Sequence, residues 1–86
     1  MNPISVLKHP VSTEKAIRLM ESQNKLVFVV DRKSTKDDIQ KAFELIFKVK
    51  VSSVNTVITP AGQKRAYIRL SPETPALDIA TQLGMM

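Results

Sequence analysis

The sequence predicts an α+β fold in which helices pack against a four-stranded, mainly antiparallel sheet, with the element order β-α-β-α-β-β-α. Apolar β-branched runs alternate with stretches whose apolar residues recur at helical spacing, which favours strands separated by helices. A short turn containing proline and glycine joins the last two strands as a hairpin. A helical crossover makes strands two and three parallel. Strand four, antiparallel to strand three, can therefore lie between them as the middle of a split β-α-β unit.

The first strand is expected over Ile4 to Lys8, a short apolar run that Pro10 closes. The residue before a proline is biased toward extended backbone, so this proline marks the end of the element. A helix follows, with Ser12 or Thr13 as its N-cap and an end near Ser22.

The second strand, Lys25 to Val30, is a continuous apolar run, typical of a central strand that is covered on both faces at least at Val27 and Val29. Ser34 is expected to open the second helix, because Asp37 stands three residues later at the spacing of a capping box. The apolar residues that follow recur at the spacing of one helical stripe. They are Ile39, Ala42, Phe43 and Ile46.

The third strand is expected over Val51 to Thr59, and the hairpin partner begins after a Pro-Ala-Gly-Gln turn and covers Lys64 to Leu70. A last short helix is expected with Thr74 as N-cap, Pro75 at the first helical position and Gly84 at its C-terminal end. Its apolar stripe consists of Leu77, Ala80 and Leu83.

Length and composition indicate one domain, residues 1–86, with no linker. The chain has no cysteine, which excludes a disulfide framework and a thiolate metal site. No apolar run is long enough to span a membrane and no signal peptide is recognised, so we expect a soluble, intracellular protein. The formal net charge is +5, and every lysine and arginine lies within the first 70 residues. Such a basic body suits nucleic acid, although an anionic membrane or an acidic protein would fit the charge equally well.

The chemistry of an enzyme is not recognisable in this sequence. His9 is the single histidine, which leaves no second imidazole for a metal site or a proton relay. The two glycines, Gly62 and Gly84, cannot build a glycine-rich phosphate loop, and no serine has a partner base nearby in the sequence. We therefore expect no catalytic residues, no metal and no cofactor.

Alternation in the last strand sends Arg65, Tyr67 and Arg69 to one face and its apolar residues to the other. Further basic and amide side chains near the first two helices and the hairpin would extend a discontinuous cationic surface. Such a surface suits a folded RNA that is read by shape and backbone better than a single strand that is read by stacked bases. An ordinary solvated strand face is the alternative.

Four segments of the chain, in their order and spacing, resemble the large-subunit ribosomal protein twenty-three family. They are His9 to Ala16, Asn24-Lys25, Val54 to Thr56, and Lys64 to Leu70 with Ile79 following. The resemblance covers essentially the whole chain. It implies the fold derived above, with a monomer inside the large ribosomal subunit in the cytoplasm and no membrane or DNA partner.

The resemblance also implies partners and site residues. The partners would be 23S-type rRNA beside the mouth of the polypeptide exit tunnel, neighbouring large-subunit proteins, and exit-site factors such as the signal recognition particle. Glu14, at the start of the first helix, would belong to the docking surface for those factors. The rRNA-binding residues carried over by position are Lys8, Lys15, Asn24, Lys36, Asn55, Thr56, Lys64, Arg65 and Arg69.

Two departures from the family pattern matter. The turn Pro60 to Gln63 replaces the long basic hairpin extension of bacterial members, so the chain is similar to the short archaeal type and would not line the tunnel deeply. Gln40 stands where many relatives have a basic residue, which puts a phosphate contact there in doubt. The alternative reading of the whole chain is a stand-alone α+β module that binds a protein or a small ligand.

Overall fold

The computed structural model describes residues 6–11 and 13–83. The elements follow the predicted order, and each lies close to its predicted place. They are β1 (Leu7–Pro10), α1 (Glu14–Gln23), β2 (Lys25–Val30), α2 (Lys36–Phe47), β3 (Val51–Ile58), β4 (Lys64–Leu70) and α3 (Ala76–Gln82).

The sheet has the strand order β1-β2-β4-β3, and all neighbouring strands are antiparallel. The prediction that the fourth strand lies between the second and third is confirmed. β1 and β3 form the two edges. The register of each edge strand relative to its partner strand shifts once, between Leu7 and His9 in β1 and between Val51 and Ser53 in β3. A bulge of this kind interrupts the pairing of an edge strand and bends it.

The register assigns the strand residues to two faces. The inner face, which packs against α2, includes the paired residues Leu26 and Ile68, and Phe28 and Ala66. We call the opposite side the outer face. It is formed by the strand positions Lys25, Val27, Val29, Ser53, Asn55, Val57, Arg65, Tyr67 and Arg69.

The core lies between the inner face and α2. Ile39, Ala42 and Phe43 of this helix are buried, as predicted, and the ring of Phe43 meets Phe28 edge-on at a centroid distance of 5.6 Å. Ile46 was expected in the same stripe, but it is 40% exposed. Phe47 takes its place and stacks at a tilt on Phe43 with centroids 4.6 Å apart, because successive steps of four residues keep the large rings on one line.

The helices at the two ends of the chain complete the core. Met20 of α1 is buried in it, and α3 buries Ala76, Ile79 and Ala80. Leu77 was expected on the buried stripe of α3 but is 50% exposed. The buried stripe instead consists of Ala76, Ile79, Ala80 and the partly buried Leu83, at the spacing i, i+3, i+4 and i+7, and Leu77 lies one position off it. The helix starts one residue later than expected, with Pro75 as its N-cap.

The first strand and the first helix also differ slightly from expectation. β1 includes Pro10, which was expected to end it; a proline lacks the N–H of a ladder hydrogen bond and is tolerated at an edge. Of the two candidate caps of α1, Thr13 is described, and its hydroxyl accepts a hydrogen bond from the Ala16 N–H at 3.3 Å. Ile4, Ser12 and the expected C-terminal Gly84 lie outside the described residues.

The capping box of α2 is one residue later than predicted. Thr35 is the N-cap: its hydroxyl accepts from the Asp38 N–H, and the Asp38 carboxylate accepts from the Thr35 N–H, both at 3.1 Å. The hydrogen bond from the Thr35 N–H, followed by a smaller contribution from the Thr35 hydroxyl, holds the pKa of the Asp38 carboxyl below its ordinary value of 3.8. Ser34 instead is buried and donates its hydroxyl to the Asp31 carbonyl. The capping-box pattern fits both registers in the sequence, so burial of Ser34 decides between them.

Candidate nucleic-acid interface

The exposed end of the outer face is formed by Arg69. Its neighbours across the sheet are Lys25 of β2 and Ser53 of β3. The Arg69 side chain is exposed, whereas Leu70, the next residue, is buried on the inner face. Alternation therefore places a free guanidinium above the sheet, next to a lysine. Lys25 was not among the predicted site residues, although its position in the period-two pattern of β2 could have indicated it.

The middle of the outer face is formed by Tyr67. It lies between Val27 and Asn55, is half-buried and so is not a freely exposed ring. Asn55 is exposed and points to the same side of the sheet by the register of the hairpin.

Arg65 lies on the outer face as predicted, but it is half-buried. Its guanidinium Nε is buried and has no hydrogen-bond partner among residues 6–11 and 13–83. Together with Tyr67, Lys15 and Thr13 it lines a small cavity of about 30 Å³ where α1 approaches β2. The structure thus brings Lys15 to the two strand residues, a juxtaposition between distant parts of the chain.

The electrostatics of the outer face follow from its composition. None of its strand positions is acidic. Within the part of the chain that the structure describes, one ion pair forms, between Arg18 and Glu14 of α1 at 2.8 Å. Arg65, Arg69 and Lys25 consequently have no carboxylate partner in the described structure, and the face presents uncompensated positive charge.

Lys64 and Thr56 lie on the opposite side of the sheet. Lys64 pairs with Val30 and Thr56 with Ala66, so both follow the inner-face register. The Lys64 ammonium donates a hydrogen bond to the Ser34 carbonyl just before α2, at 2.5 Å. These predicted site residues are therefore not part of the outer face.

Lys36 and Lys8 are placed apart from both groups. Lys36 is exposed in the first turn of α2, on the helix side of the sheet. Lys8 is exposed on the edge strand β1, at the register shift. The predicted basic residues thus form one concentrated surface and several separate positions.

Asn24, another predicted site residue, has its side chain engaged in the fold. It follows α1 with left-handed backbone, φ 55°, a conformation that asparagine tolerates. Its amide nitrogen donates toward the carbonyls of Thr74 at 3.0 Å and Ser71 at 3.2 Å, and its Oδ1 accepts from the Ala76 N–H at 2.6 Å. The side chain therefore ties the end of α1 to the start of α3. An asparagine directly after a predicted helix is a signal for such a cap.

The sequence matches the protein-family model described as Ribosomal protein L23 over residues 5–76. It is also 53% identical over 85 residues to the large ribosomal subunit protein uL23 of the archaeon Methanothermobacter thermautotrophicus, a match that covers 99% of each chain. The chain belongs to the ribosomal protein L23 family. It is accordingly a structural protein of the large ribosomal subunit, and its place is on the ribosome in the cytoplasm. The resemblance inferred from sequence segments is confirmed, including the likeness to an archaeal member.

Metal sites, membrane-spanning helices and enzyme chemistry were considered for this L23-family chain. In residues 6–11 and 13–83, no three histidine, aspartate or glutamate side chains come close enough to hold a metal ion. No helix in the same part of the chain is long and apolar enough to cross a membrane. Structural ribosomal proteins are generally not enzymes, which agrees with the class expected from the sequence.

Proposed function

We propose that this chain binds 23S-type rRNA beside the mouth of the polypeptide exit tunnel, and that the start of α1 receives the signal recognition particle or other exit-site factors. The outer face is the main RNA-binding surface. The observation that carries the proposal is its charge: Lys25, Arg65 and Arg69 lie on strand positions among which no acidic residue occurs. RNA binding depends largely on neutralising phosphates, and a surface of this kind provides the cations.

The side chains of the outer face favour recognition of the RNA backbone and shape. Tyr67 is its aromatic residue and is half-buried, so it offers little ring surface for stacking. The phenylalanines Phe28, Phe43 and Phe47 pack on one another in the core. A protein that reads single-stranded bases normally presents exposed rings on its sheet. Arginines pair with phosphates in a planar fork instead, which fits a folded RNA.

The other predicted RNA-binding residues take different roles in this proposal. Lys15 and Asn55 extend the outer face, and Lys8 provides a separate contact on the edge strand β1. Lys36, at the start of α2, would form a second contact with the rRNA. Lys64 and Thr56 lie on the same, helix-covered side of the sheet and would contribute to this second contact. Asn24 acts indirectly, because its hydrogen bonds hold the loop that follows Arg69.

The docking surface is proposed for the exposed start of α1. The Glu14 and Arg18 side chains form the ion pair described above and are 81% and 76% exposed. An exposed pair of this kind contributes little to folding stability. Breaking this pair therefore costs little free energy, so both side chains can form ion pairs with a docking partner instead.

The RNA-binding part is tested by titrating fragments of large-subunit rRNA with the protein at increasing salt. Affinity should fall with a log-log slope of roughly −0.7 to −0.9 for each phosphate neutralised. A nearly flat dependence between low and physiological salt would contradict a phosphate-based interface.

The docking part needs a separate experiment on ribosomes that contain Glu14→Lys. We expect weaker co-sedimentation of the signal recognition particle with these ribosomes, because the variant reverses the charge at the start of α1. Glu73→Lys, an equally large charge change at another exposed glutamate, serves as the control. If both variants bind the particle like the parent, the docking proposal is wrong and the RNA-binding proposal is unaffected.

A further inference from the structure

A groove of about 600 Å³ lies at the end of the sheet where β2 begins and β4 ends. Its walls come from the last turn of α1, the irregular part of β3 and the loop between β4 and α3. The volume is in the range of sites that hold small molecules. The side chains that determine its chemistry are Glu21, Gln23, Ser52, Arg69, Pro72 and Pro75.

One wall of the groove is rich in hydrogen-bond acceptors. Glu21 is exposed in the last turn of α1, and this turn contains no basic residue. The C-terminal end of a helix carries partial negative charge from its carbonyl groups. This wall should therefore repel a phosphate and attract a neutral group that presents N–H donors.

The groove also has a cationic lining residue. Arg69 is exposed there, and within the described residues its guanidinium forms no ion pair with Glu21, although both line the same groove. Each charge is thus available to a ligand. Arg69 also belongs to the outer face, so the groove opens directly onto the proposed RNA-binding surface.

Two proline rings line the rest of the groove. Pro72 and Pro75 are both exposed and offer flat apolar surfaces, against which the face of a planar ring can pack. Ser52, at the register shift of β3, adds a hydroxyl at the rim. The groove lining thus combines hydrogen-bond acceptors, a guanidinium and apolar rings, which suit the base edge, the phosphate and the base face of a nucleotide.

We propose that this groove holds an unpaired guanine nucleotide of the rRNA, an inference that rests on the proposed RNA-binding function. The Glu21 carboxylate accepts two hydrogen bonds from the N1–H and N2–H groups on the Watson–Crick edge of the base. Guanine presents two adjacent donors on this edge, and an ionised carboxylate can accept them with its two oxygens. Arg69 binds the phosphate of the same nucleotide or of its neighbour. Bases that are extruded from RNA helices are commonly read on this edge.

The direction in which one substitution changes the affinity for rRNA separates this inference from simple charge attraction. Glu21→Gln removes a negative charge and should strengthen binding of rRNA if the surface only attracts phosphates. If Glu21 accepts from a base, the same variant should weaken binding by about fivefold or more, because a bidentate base contact is lost. Binding is measured by titrating rRNA fragments with parent and variant at fixed salt.

Glu73→Gln is the matched control, since Glu73 is also exposed but does not line the groove. It should bind rRNA as tightly as the parent or slightly more tightly. The inference is wrong if Glu21→Gln binds at least as tightly as the parent. If the parent itself fails to bind rRNA, the proposed function is wrong as well, so the two failures are distinguishable.

Photo-crosslinking identifies the occupant directly. A benzophenone amino acid replaces Gln23, which lines the groove. In the control variant it replaces Gln82, an exposed residue of α3 that does not line the groove. Each variant is assembled into large subunits. Crosslinking from position 23 should stop reverse transcription at one unpaired guanine that position 82 does not label. Replacing that guanosine by inosine, which lacks the 2-amino group, should weaken binding of the parent more than binding of Glu21→Gln, because glutamine keeps only one acceptor oxygen. Crosslinks to protein, or to paired bases only, would overturn the inference.

Discussion

The two faces of the sheet differ most clearly on β4, a strand of seven residues. On the inner face Ala66, Ile68 and Leu70 are at most 1% exposed and lie in the core. On the outer face the exposure rises along the strand, from half-buried Arg65 to exposed Arg69. Helices cover the inner face at these three residues, whereas on the outer face the first half of α1 lies beside Arg65 and Tyr67. From Ala66 onward the alternating pattern thus produces an apolar inner side and an outer side of graded exposure, while Lys64 at the start of the strand is half-buried on the inner side.

This difference shows that a basic residue on the outward side of a strand need not be free. The Arg65 side chain is half-buried and lines the small cavity beside the first half of α1, while Arg69 is exposed near the last turn of this helix. Folding stability should therefore depend strongly on the inner face, weakly on Arg69, and to an intermediate extent on polar groups that connect elements.

The largest expected effect is that of Phe43→Ala. Phe43 is fully buried against the inner face, and truncating a buried phenylalanine typically costs about 3 to 5 kcal/mol. Thermal or urea unfolding should show a loss of this size. Leu45→Ala, on the same helix but 65% exposed, is the control and should remain within about 0.5 kcal/mol of the parent. Equal effects of the two variants would mean that α2 packs through another stripe.

A smaller loss is expected for Asn24→Gly, which keeps the left-handed backbone but removes the amide. The Ala76 N–H and several loop carbonyls lose their partner, and leaving such groups unpaired costs roughly 1 to 3 kcal/mol. Asn55→Ala, on the exposed outer face, should change the free energy of unfolding by less than about 0.5 kcal/mol. If Asn24→Gly is as stable as the parent, these hydrogen bonds do not hold α3.

Thr35→Ala removes the cap of the helix that covers the inner face, which typically costs about 1 kcal/mol. The loss should depend on pH. The Asp38 pKa is lowered in the folded state, so its contribution is present above the unfolded pKa and disappears as the pH falls through the folded value. Urea unfolding should therefore show a smaller difference between parent and variant in acid than at neutral pH. A difference that grows in acid would contradict this assignment.

The smallest effect on stability is expected for Arg69→Ala, within about 0.5 kcal/mol, because the side chain is exposed and unpaired among the described residues. The same variant should weaken binding of rRNA fragments by roughly tenfold, since a charge-assisted contact is lost. Lys41→Ala, which removes the same charge from an exposed position on α2, should bind nearly as well as the parent. Arg65→Ala should cost more stability than Arg69→Ala, because its stem is packed.

Much of the fold was predictable because it depends on local patterns. The alternation of β4, the stripe of α2 around Phe43 and the hairpin turn each arise within a few residues, and the split β-α-β arrangement follows from them. The exact residue at which a helix starts was harder to predict from the sequence. At α2 both Ser34 and Thr35 fit the capping pattern, and only the burial of Ser34 distinguishes them.

The candidate site was predictable in part. The orientation of Arg65 and Arg69 toward one face followed from alternation and is confirmed. Lys64 is adjacent in sequence to Arg65, yet the same alternation turns it to the helix side. The approach of Lys15 to this face could not be read from the sequence, because it requires the position of α1 relative to the sheet.

The sequence by itself determined the order of the elements, the sheet topology, the basic character of the body and the family to which the chain belongs. Tertiary structure alone decided which of the basic and amide side chains are free. Asn24 shows the reason: its side chain binds backbone groups 46 to 52 residues later in the chain. Contacts at such separation depend on how whole elements pack, and no local periodicity encodes them.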